Sequence, residues 1–262
     1  MEPENPTDHL STTAEPEPEP ARRPICANCS RPSPVCLCQS LPARPIPTRT
    51  QIVIVHHPHE AHHKLSTVPV LTKCLLNSTT IVTRRLRNGP NGPSPLLDQS
   101  LPAIYLFPPA PSSPAVTLSQ LLSSLDPQHT PQVLIVFDGT WKHAKEMVSA
   151  SEGFLSRFAT RVCLDYDESA SGGSIYDSEL ILRKEPCGGC VSTMEAVARA
   201  LRVLEPNGPE IESKLIEVLR EMVKLQARYL KPMKPRPKLL KKGKEKKELT
   251  DKSETSDLTT LY

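Results

Sequence analysis

The spacing of apolar positions changes repeatedly along the chain, and each change marks a predicted element. Short unbroken apolar runs predict buried strands, and these runs are QIVIVHH, STTIVTRR, AIYLF, QVLIVF, RVCLDY and ELILRKE. Segments with apolar residues three and four apart predict helices, namely VPVLTKCLLN, VTLSQLLSSLD, WKHAKEMVSAS, VSTMEAVARALRVLE and IESKLIEVLREMVKLQARYL. Strands that alternate with helices indicate helical crossovers, so we expect an α/β fold with a mostly parallel sheet and flanking helices.

Both ends of the chain and one internal segment lack this periodicity. Residues 1–22 are acidic and Pro-rich, and include EPEPEP, a composition typical of disorder. Residues 23–45 are dense in Cys and Pro, residues 46–230 carry the strand and helix pattern, and residues 231–262 are a basic tail that we also expect to be disordered. The sequence therefore predicts four segments, of which 46–230 forms the main domain.

Charge is distributed unevenly, although the formal net charge is only +3. Between Lys231 and Lys247, nine Lys or Arg residues accompany a single acid, Glu245. Such a block favours contacts with nucleic acid or a nuclear localisation signal, and the two roles are compatible. The tail residues that we expect to bind RNA are Lys231, Lys234, Arg236, Lys238, Lys241 and Lys242.

The sequence contains neither of the two usual signals for leaving the cell interior. No stretch approaches the roughly 20 apolar residues of a membrane span. The N-terminal residues lack the basic and apolar regions of a signal peptide. We therefore expect an intracellular protein without a membrane partner, located in the cytoplasm, the nucleus or both. The oligomeric state stays open.

Four clustered cysteines near the N-terminus predict a metal site. They are Cys26, Cys29, Cys36 and Cys38. In a reducing compartment such a cluster favours metal over disulfides, and four thiolates complete the tetrahedral shell of a structural Zn²⁺. The pair Cys187 and Cys190, in PCGGC, is a weaker signal, because two glycines between cysteines also suit a flexible loop. We expect the remaining cysteines, Cys74 and Cys163, to lie in the core.

Polar or rigid residues follow three of the predicted strands. In open α/β sheets, ligands bind beyond the carboxyl ends of the strands, so these exits predict a site. The first exit contains Leu106, Phe107 and Pro108. The second contains Asp138, Gly139, Thr140 and the sole tryptophan, Trp141. The third begins with the charged pair Arg183 and Lys184 and leads to the helix start at Ser192, Thr193 and Glu195.

Several of these residues also have a local explanation. Thr140 is suited to cap one helix and either Ser192 or Thr193 to cap another, and Glu195 stands at the capping-box spacing from Ser192. Asp138 suits an Asx turn, and Trp141 suits a packed core. Their combination at successive strand exits favours a site. The chain has no GxGxxG or GxxxxGK[ST] motif, which disfavours ordinary Rossmann and P-loop nucleotide binding.

A cluster of histidines follows the first predicted strand. There are five between His56 and His63, and they match no known metal motif, so we do not predict a metal site there. His57 directly follows the strand and could line the same cleft as the other strand exits.

Taken in order, several motifs resemble the DTW-domain family, the tRNA-uridine aminocarboxypropyltransferases. They are CANCSRPSPVCLC, QIVIVHHPHEAHHKLSTVPVL, YLFP, VFDGTW, RKEP with STMEAVARAL, and KPM. The resemblance extends from about Cys26 to the basic tail and is greatest to the type 2 members. It implies that residues 46–230 form a SPOUT-like catalytic domain with a trefoil knot that holds S-adenosylmethionine. Met194 stands where the family pattern leads us to expect Leu, a volume-conserving difference.

The resemblance also implies a reaction and roles for individual residues. The 3-amino-3-carboxypropyl group of S-adenosylmethionine would move to N3 of a D-loop uridine in tRNA, with release of 5′-methylthioadenosine. Asp138 would act as the base or would orient N3, together with Thr140 and Trp141. The implied cofactor-binding residues are Leu106, Phe107, Pro108, Gly139, Ser192, Thr193 and Glu195. The residues expected to contact the substrate or RNA are His57, Arg183, Lys184 and the tail.

Functions from other classes stay open at this point. A SPOUT-type RNA methyltransferase would use the same cofactor, and the mass of the product would distinguish it. A non-catalytic, zinc-containing RNA-binding protein or adaptor would depend on the cysteine cluster and the tails. Such a protein would keep its function after substitution of Asp138, whereas an enzyme would not.

Overall fold

The computed structural model describes residues 24–61, 63, 65–87, 101–110, 114–125, 130–165 and 191–229. Within them lies a six-stranded sheet in the order β2-β1-β5-β3-β6-β4. The strands are β1 (Gln51–His56), β2 (Ser78–Val82), β3 (Ala103–Leu106), β4 (Val116–Thr117), β5 (Val133–Asp138) and β6 (Ala159–Cys163). All neighbouring strands pair in parallel, which confirms the predicted parallel sheet.

Five α-helices flank this sheet in the described part of the chain. They are α1 (Val68–Cys74), α2 (Leu118–Ser124), α3 (Trp141–Leu155), α4 (Thr193–Leu204) and α5 (Gly208–Ala227). Short 3₁₀ turns lie at Ser33–Val35 and Pro58–Glu60. None of the described helices is both long and apolar enough to cross a membrane.

The sheet separates two apolar cores, and the central strands are buried on both faces. On β1, Ile52 and Ile54 pack into a core that includes residues of α1, α4 and α5. Val53 and Val55 pack on the opposite face with residues of α3. This alternation follows from the two-residue period of a strand, and burial on both faces explains why β1 and β5 read as unbroken apolar runs.

The cysteine-rich segment is attached to the main domain by apolar packing and by a buried carboxylate. Leu37 is 1% exposed and belongs to the same core as α4 and α5. Farther along, Glu205 accepts hydrogen bonds from the backbone N–H groups of Arg49 (2.9 Å) and Thr50 (2.8 Å). These bonds fix the chain just before it enters β1, so the cysteine-rich segment is held at a defined distance from the sheet.

Two predictions about single elements need correction. The first two residues of the predicted helix VTLSQLLSSLD form strand β4, because Val116 and Thr117 pair with the end of β6. Helix α2 then starts at Leu118 under a capping box made by Thr117 and Gln120.

Cys74 is buried as predicted, but Cys163 is only partly buried because β6 has the two-residue strand β4 as its outer neighbour. The predicted strand ELILRKE, residues 1–22 and the basic tail lie outside the described residues.

Candidate active site

The side chains of His56 and Asp138 meet at the carboxyl ends of two neighbouring inner strands, β1 and β5. In the parallel register His56 is paired with Asp138, so both side chains leave the same face of the sheet. His56 Nδ1 lies 2.6 Å from Asp138 Oδ2. His56 is 4% exposed and Asp138 is 8% exposed, so this polar pair is nearly removed from water.

Helix α4 begins directly above the same carboxylate. The Thr193 hydroxyl donates to Asp138 Oδ1 at 2.5 Å. The preceding residue, Ser192, caps the helix, and its oxygen accepts the backbone N–H of Glu195. A helix start of this kind places partial positive charge near an anion, which stabilises the Asp138 carboxylate where it lies.

Glu195 lies in the first turn of α4 and is buried. It is 0% exposed, and its Oε1 lies 2.6 Å from Arg199 Nη2 one turn along α4. The predicted Ser192 cap is therefore confirmed. Glu195 is the buried partner of an ion pair with Arg199 within α4.

The turn after β5 brings α3 close to the exit of β1. Thr140 caps α3 as predicted, because its hydroxyl accepts the backbone N–H of His143. The backbone N–H of His57 donates to the Asp138 carbonyl at 2.9 Å. Gly139 lies between the two histidines: a Cβ on Gly139 would be 3.2 Å from His143 Cβ and 3.3 Å from His57 Cβ. The glycine thus permits the close approach of the two chain segments.

Three histidines form a cluster beside this turn. The rings of His57 and His143 stack with centroids 3.9 Å apart, and His59 meets both rings edge-on. One nitrogen from each ring lies within 4.8 Å of the others, so the group has the size of a metal site. The sequence did not reveal this grouping, because His143 comes from α3.

The contacts around the histidine cluster are of mixed charge. Arg84 Nη2 lies 3.1 Å from His59 Nε2, and Glu60 Oε1 lies 3.7 Å from His143 Nδ1. Burial, followed by the neighbouring His143, His59 and Arg84, lowers the pKa of His57 below the usual histidine value. An uncharged His57 ring suits a stack against a second imidazole.

Aromatic and cationic groups border the exit of β3. The rings of Phe107 and Trp141 lie 6.2 Å apart, and the Arg161 guanidinium lies 5.3 Å from the centroid of the Phe107 ring. Arg161 also donates to the Pro108 carbonyl at 2.5 Å, which fixes the loop that begins at Leu106. Trp141 is partly exposed at the first position of α3, so the expectation of a site is favoured over simple core packing.

The structure brings together two of the three predicted strand exits and the start of α4. Asp138 meets Thr193, and Trp141 meets Phe107. Arg183, Lys184, Cys187, Cys190 and the six basic tail residues named above lie outside the described residues, so the third exit is represented only by α4.

Sequence reasoning missed His56, His143 and Arg161. A signal for His56 was present: counting by twos along β1 from Ile52 leads through Ile54 to His56, and along β5 from Leu134 to Asp138. In each strand the apolar series on one face ends in a polar residue. If the two strands are neighbours in the sheet, these two polar residues are expected to be in contact. Strand order, which the pattern does not reveal, was the missing information.

The four clustered cysteines have the spacing of a tetrahedral metal site. Cys26 Sγ lies 3.4 Å from Cys38 Sγ, and Cys29 Sγ lies 3.6 Å from Cys36 Sγ. All four sulfurs lie within 4.8 Å of one another. Zn–S bonds of about 2.3 Å in a tetrahedron require sulfurs about 3.8 Å apart, so the group has a size that could hold Zn²⁺.

Hydrogen bonds already favour a thiolate within this cluster. Donation from the Cys29 backbone N–H, and then from the Cys38 thiol, lowers the pKa of Cys26 to about 6. The same sulfur contact with Cys26 raises the pKa of Cys38 to about 12. Adjacent sulfurs therefore differ in how readily they lose a proton. A bound divalent cation would stabilise the thiolate form of all four.

Comparison with known proteins identifies the family. A family model described as the DTW domain matches residues 23–227, a range that includes the cysteine cluster, all described strands and all described helices. The chain belongs to the DTW domain family. Asp138, Thr140 and Trp141 carry the three letters of its name, and they lie at the exit of the central strand β5.

Curated relatives of this DTW-domain protein are named for one activity. The chain is 60% identical over 237 residues to tRNA-uridine aminocarboxypropyltransferase A of Arabidopsis thaliana, covering 84% of this chain and 88% of that protein. It is 33% identical over 214 residues to tRNA-uridine aminocarboxypropyltransferase 2 of Macaca fascicularis, covering 80% of this chain and 66% of that protein. For the enzyme of the same name from Drosophila melanogaster the identity is 31% over 211 residues, with 79% and 76% covered. No solved structure matches the chain.

Proposed function

We propose that this protein is a tRNA-uridine aminocarboxypropyltransferase. The observation that carries the proposal is the 60% identity to a curated enzyme of that name over 84% of the chain. The site supports it, because Asp138 is held at the exit of the central strand by residues from β1 and α4. A non-catalytic RNA-binding protein would have no use for a buried carboxylate aligned in this way.

The donor in this proposal is S-adenosylmethionine, which supplies an electrophilic carbon attached to a sulfonium. The C–S bond breaks, a C–N bond forms at N3 of a D-loop uridine, N3 loses its proton, and 5′-methylthioadenosine leaves. Phe107 and Trp141 offer aromatic faces of the kind that attract cations and stack on bases. Backbone at Gly139 and the start of α4 at Ser192 and Thr193 complete the proposed donor site.

Orientation is the main catalytic task that we assign to this chain. The residues of the cleft must present the correct carbon of the sulfonium to N3, since a methyl group attached to the same sulfur would otherwise react. Alignment of two reactants removes a large part of a barrier. Asp138 either accepts the N3 proton or orients N3–H, and Thr140 and Trp141 position the turn that carries it.

The proposed tRNA contacts lie around this cleft and in the tail. His57 is placed at the exit of β1, beside His143 and near the exposed Arg84. Arg183 and Lys184 would hold the donor carboxylate or a phosphate, and the basic residues from Lys231 onward would bind phosphates. We place such an enzyme inside the cell, in the cytoplasm, the nucleus or both.

A structural Zn²⁺ on Cys26, Cys29, Cys36 and Cys38 is part of the same proposal. All four positions of the tetrahedron would be filled by protein, so this metal would stabilise the segment and take no part in group transfer. We further propose the SPOUT-like trefoil knot and the four segments 1–22, 23–45, 46–230 and 231–262. The all-parallel sheet is compatible with such a fold.

The decisive experiment combines purified protein, unmodified tRNA transcripts and S-adenosylmethionine, followed by nucleoside mass spectrometry. Wild type and Asp138→Ala are compared side by side. We expect a uridine heavier by one aminocarboxypropyl group and an equal amount of 5′-methylthioadenosine with wild type only.

Other products would identify the alternatives. A methylated uridine would show an RNA methyltransferase on the same fold. Tight tRNA binding without any modified nucleoside, equal in wild type and Asp138→Ala, would show an RNA-binding protein and overturn the proposal.

A further inference from the structure

Both oxygens of the Asp138 carboxylate already accept a hydrogen bond within the protein. Oδ2 lies 2.6 Å from His56 Nδ1, and Oδ1 lies 2.5 Å from the Thr193 hydroxyl. The two partners come from different elements, β1 and α4, on either side of the carboxylate. Together they fix the rotation of the carboxyl group as well as its position.

The function proposed above assigns no chemical step to His56, yet its placement is specific. Its ring is almost completely buried at the end of β1, where an apolar side chain would continue the pattern of Ile52 and Ile54. A buried polar ring costs free energy unless it is hydrogen-bonded, and here the Asp138 carboxylate is its partner. When the Asp138 carboxylate is ionised it only accepts, and the proton of this bond then lies on His56 Nδ1.

We propose that His56 is a positioning residue that acts through Asp138. Together with Thr193 it forms a clamp that engages one lone pair on each carboxylate oxygen, so that the remaining lone pairs keep a fixed direction. The inference rests on the proposed function for the identity of the group that Asp138 meets, N3–H of the target uridine. His56 itself does not touch the substrate in this scheme.

The clamp defines what each substitution should do. Without the His56 contact, the Asp138 carboxyl group can rotate about its Cβ–Cγ bond, opposed only by the hydrogen bond from Thr193. Misplacing a reacting group by about 1 Å lowers a rate roughly a hundredfold. Binding of tRNA depends on a far larger surface and should be unaffected. The effect therefore belongs in kcat, with KM for tRNA nearly constant.

The test compares His56→Asn, whose side-chain N–H takes the place of the Nδ1–H group, with His56→Leu, which has similar volume to Asn and no donor. Product formation is measured by nucleoside mass spectrometry, and thermal unfolding is measured on the same samples. We expect His56→Leu to lower kcat about tenfold to a hundredfold and to change KM for tRNA less than about twofold. His56→Asn should recover most of that loss. Thr193→Val should lower kcat by a similar factor, whereas Thr193→Ser, which keeps the hydroxyl, should not.

A merely structural role for His56 predicts a different pattern. Loss of activity would then follow the loss of thermal stability, and His56→Asn would be no better than His56→Leu. That result, or wild-type kcat in His56→Leu, would overturn the inference while leaving the proposed function intact.

Nitrogen-15 NMR of the histidine rings supplies a readout that needs no activity. In wild type we expect the His56 Nδ1–H proton to resonate far downfield, and Asp138→Asn should shift it. An unprotonated Nδ1 in wild type would overturn the clamp. If wild type instead shows this bond but forms no aminocarboxypropyl uridine, the proposed function fails and the assigned role of the clamp fails with it.

Discussion

Gly139 is the residue at which the β5 turn is most closely packed. A methyl group there would press on the Cβ atoms of His57 and His143, at 3.3 and 3.2 Å, and neither atom can move without its backbone. We expect Gly139→Ala to destabilise the protein by about 1 kcal/mol, as overpacking does, and to separate the ring stack. Urea unfolding followed by circular dichroism measures the first effect, and the nucleoside assay should show reduced turnover.

Gly153 provides a matched control for this change. It lies inside helix α3, and a methyl group added there would meet no heavy atom of a neighbouring element within 4 Å. Gly153→Ala should therefore stabilise the protein by about 0.5–1 kcal/mol, because alanine is the better helix former. Equal unfolding free energies for the two variants would show that the β5 turn has more room than the structure indicates.

His57 links stability to pH in a direction that its surroundings define. Its pKa is lowered in the folded state by burial and by His143, His59 and Arg84, with Glu60 opposing. Between the folded-state pKa of His57 and about pH 6.5, this imidazole is therefore protonated to a greater extent in the unfolded chain than in the folded chain. The stabilising contribution is complete above pH ~6.5 and is lost as pH falls toward the folded-state pKa. Urea unfolding between about pH 5 and 7.5 should show this loss, and His57→Phe should reduce the slope.

A second histidine tests whether the effect belongs to the ring stack. His63 is exposed and lies outside the stack of His57 and His143. His63→Asn should leave the pH dependence of unfolding unchanged. If His63→Asn reduces the slope as much as His57→Phe does, the acid sensitivity has another origin.

Individual site residues were predictable where the signal was local. Gly139, Thr140 and Ser192 follow from turn and capping chemistry that is complete within a few residues. The contact between His56 and Asp138 joins residues 82 positions apart, and it exists only because β1 and β5 are neighbours. His143 escaped notice for the same reason, since its partner His57 belongs to another element.

At the scale of elements, burial decided how well the sequence predicted the fold. Strands β1 and β5 are buried along almost their whole length, so their apolar runs are unambiguous. Strand β4 has two residues, and its pairing with β6 overrides the helical spacing that continues into α2. The strand order follows from packing between distant elements, and periodicity carries no information about it.

The cysteine cluster is the element with the clearest dependence on a ligand. Native mass spectrometry should find one Zn²⁺ per chain, and Cys29→Ser should abolish it. Because Leu37, between Cys36 and Cys38, packs into the main core, loss of the metal should also loosen that core. We expect the midpoint of thermal unfolding to fall by about 5 °C or more after chelation or in Cys29→Ser.

Cys163→Ser is the control for the metal prediction. Its sulfur contacts the Val116 carbonyl at the edge of the sheet and is not part of the cluster. This variant should keep its zinc and respond to a chelator as wild type does. A metal-free wild type with the same thermal midpoint before and after chelation would rule out a structural metal at the cysteines.

At the scale of the whole molecule, the cleft and the charge are separated along the sequence. The proposed reacting residues lie between β1 and α4, whereas the densest positive charge begins at Lys231, after α5. Catalysis and the greater part of phosphate binding should therefore be separable by mutation. Changes in the position of the site residues should alter kcat, whereas loss of the basic residues in the tail should lower the affinity for tRNA.

Deleting residues 231–262 tests this separation, because it removes nine Lys or Arg residues between Lys231 and Lys247. Each phosphate contact that is lost reduces the counterions released on binding, so the dependence of tRNA affinity on salt should become shallower. We expect KM for tRNA to rise about tenfold near physiological salt, with kcat within about twofold of wild type. Replacing the tail lysines by arginine should preserve both constants, since the charge is kept. An unchanged salt dependence in the deletion variant would place the phosphate contacts on the folded domain instead.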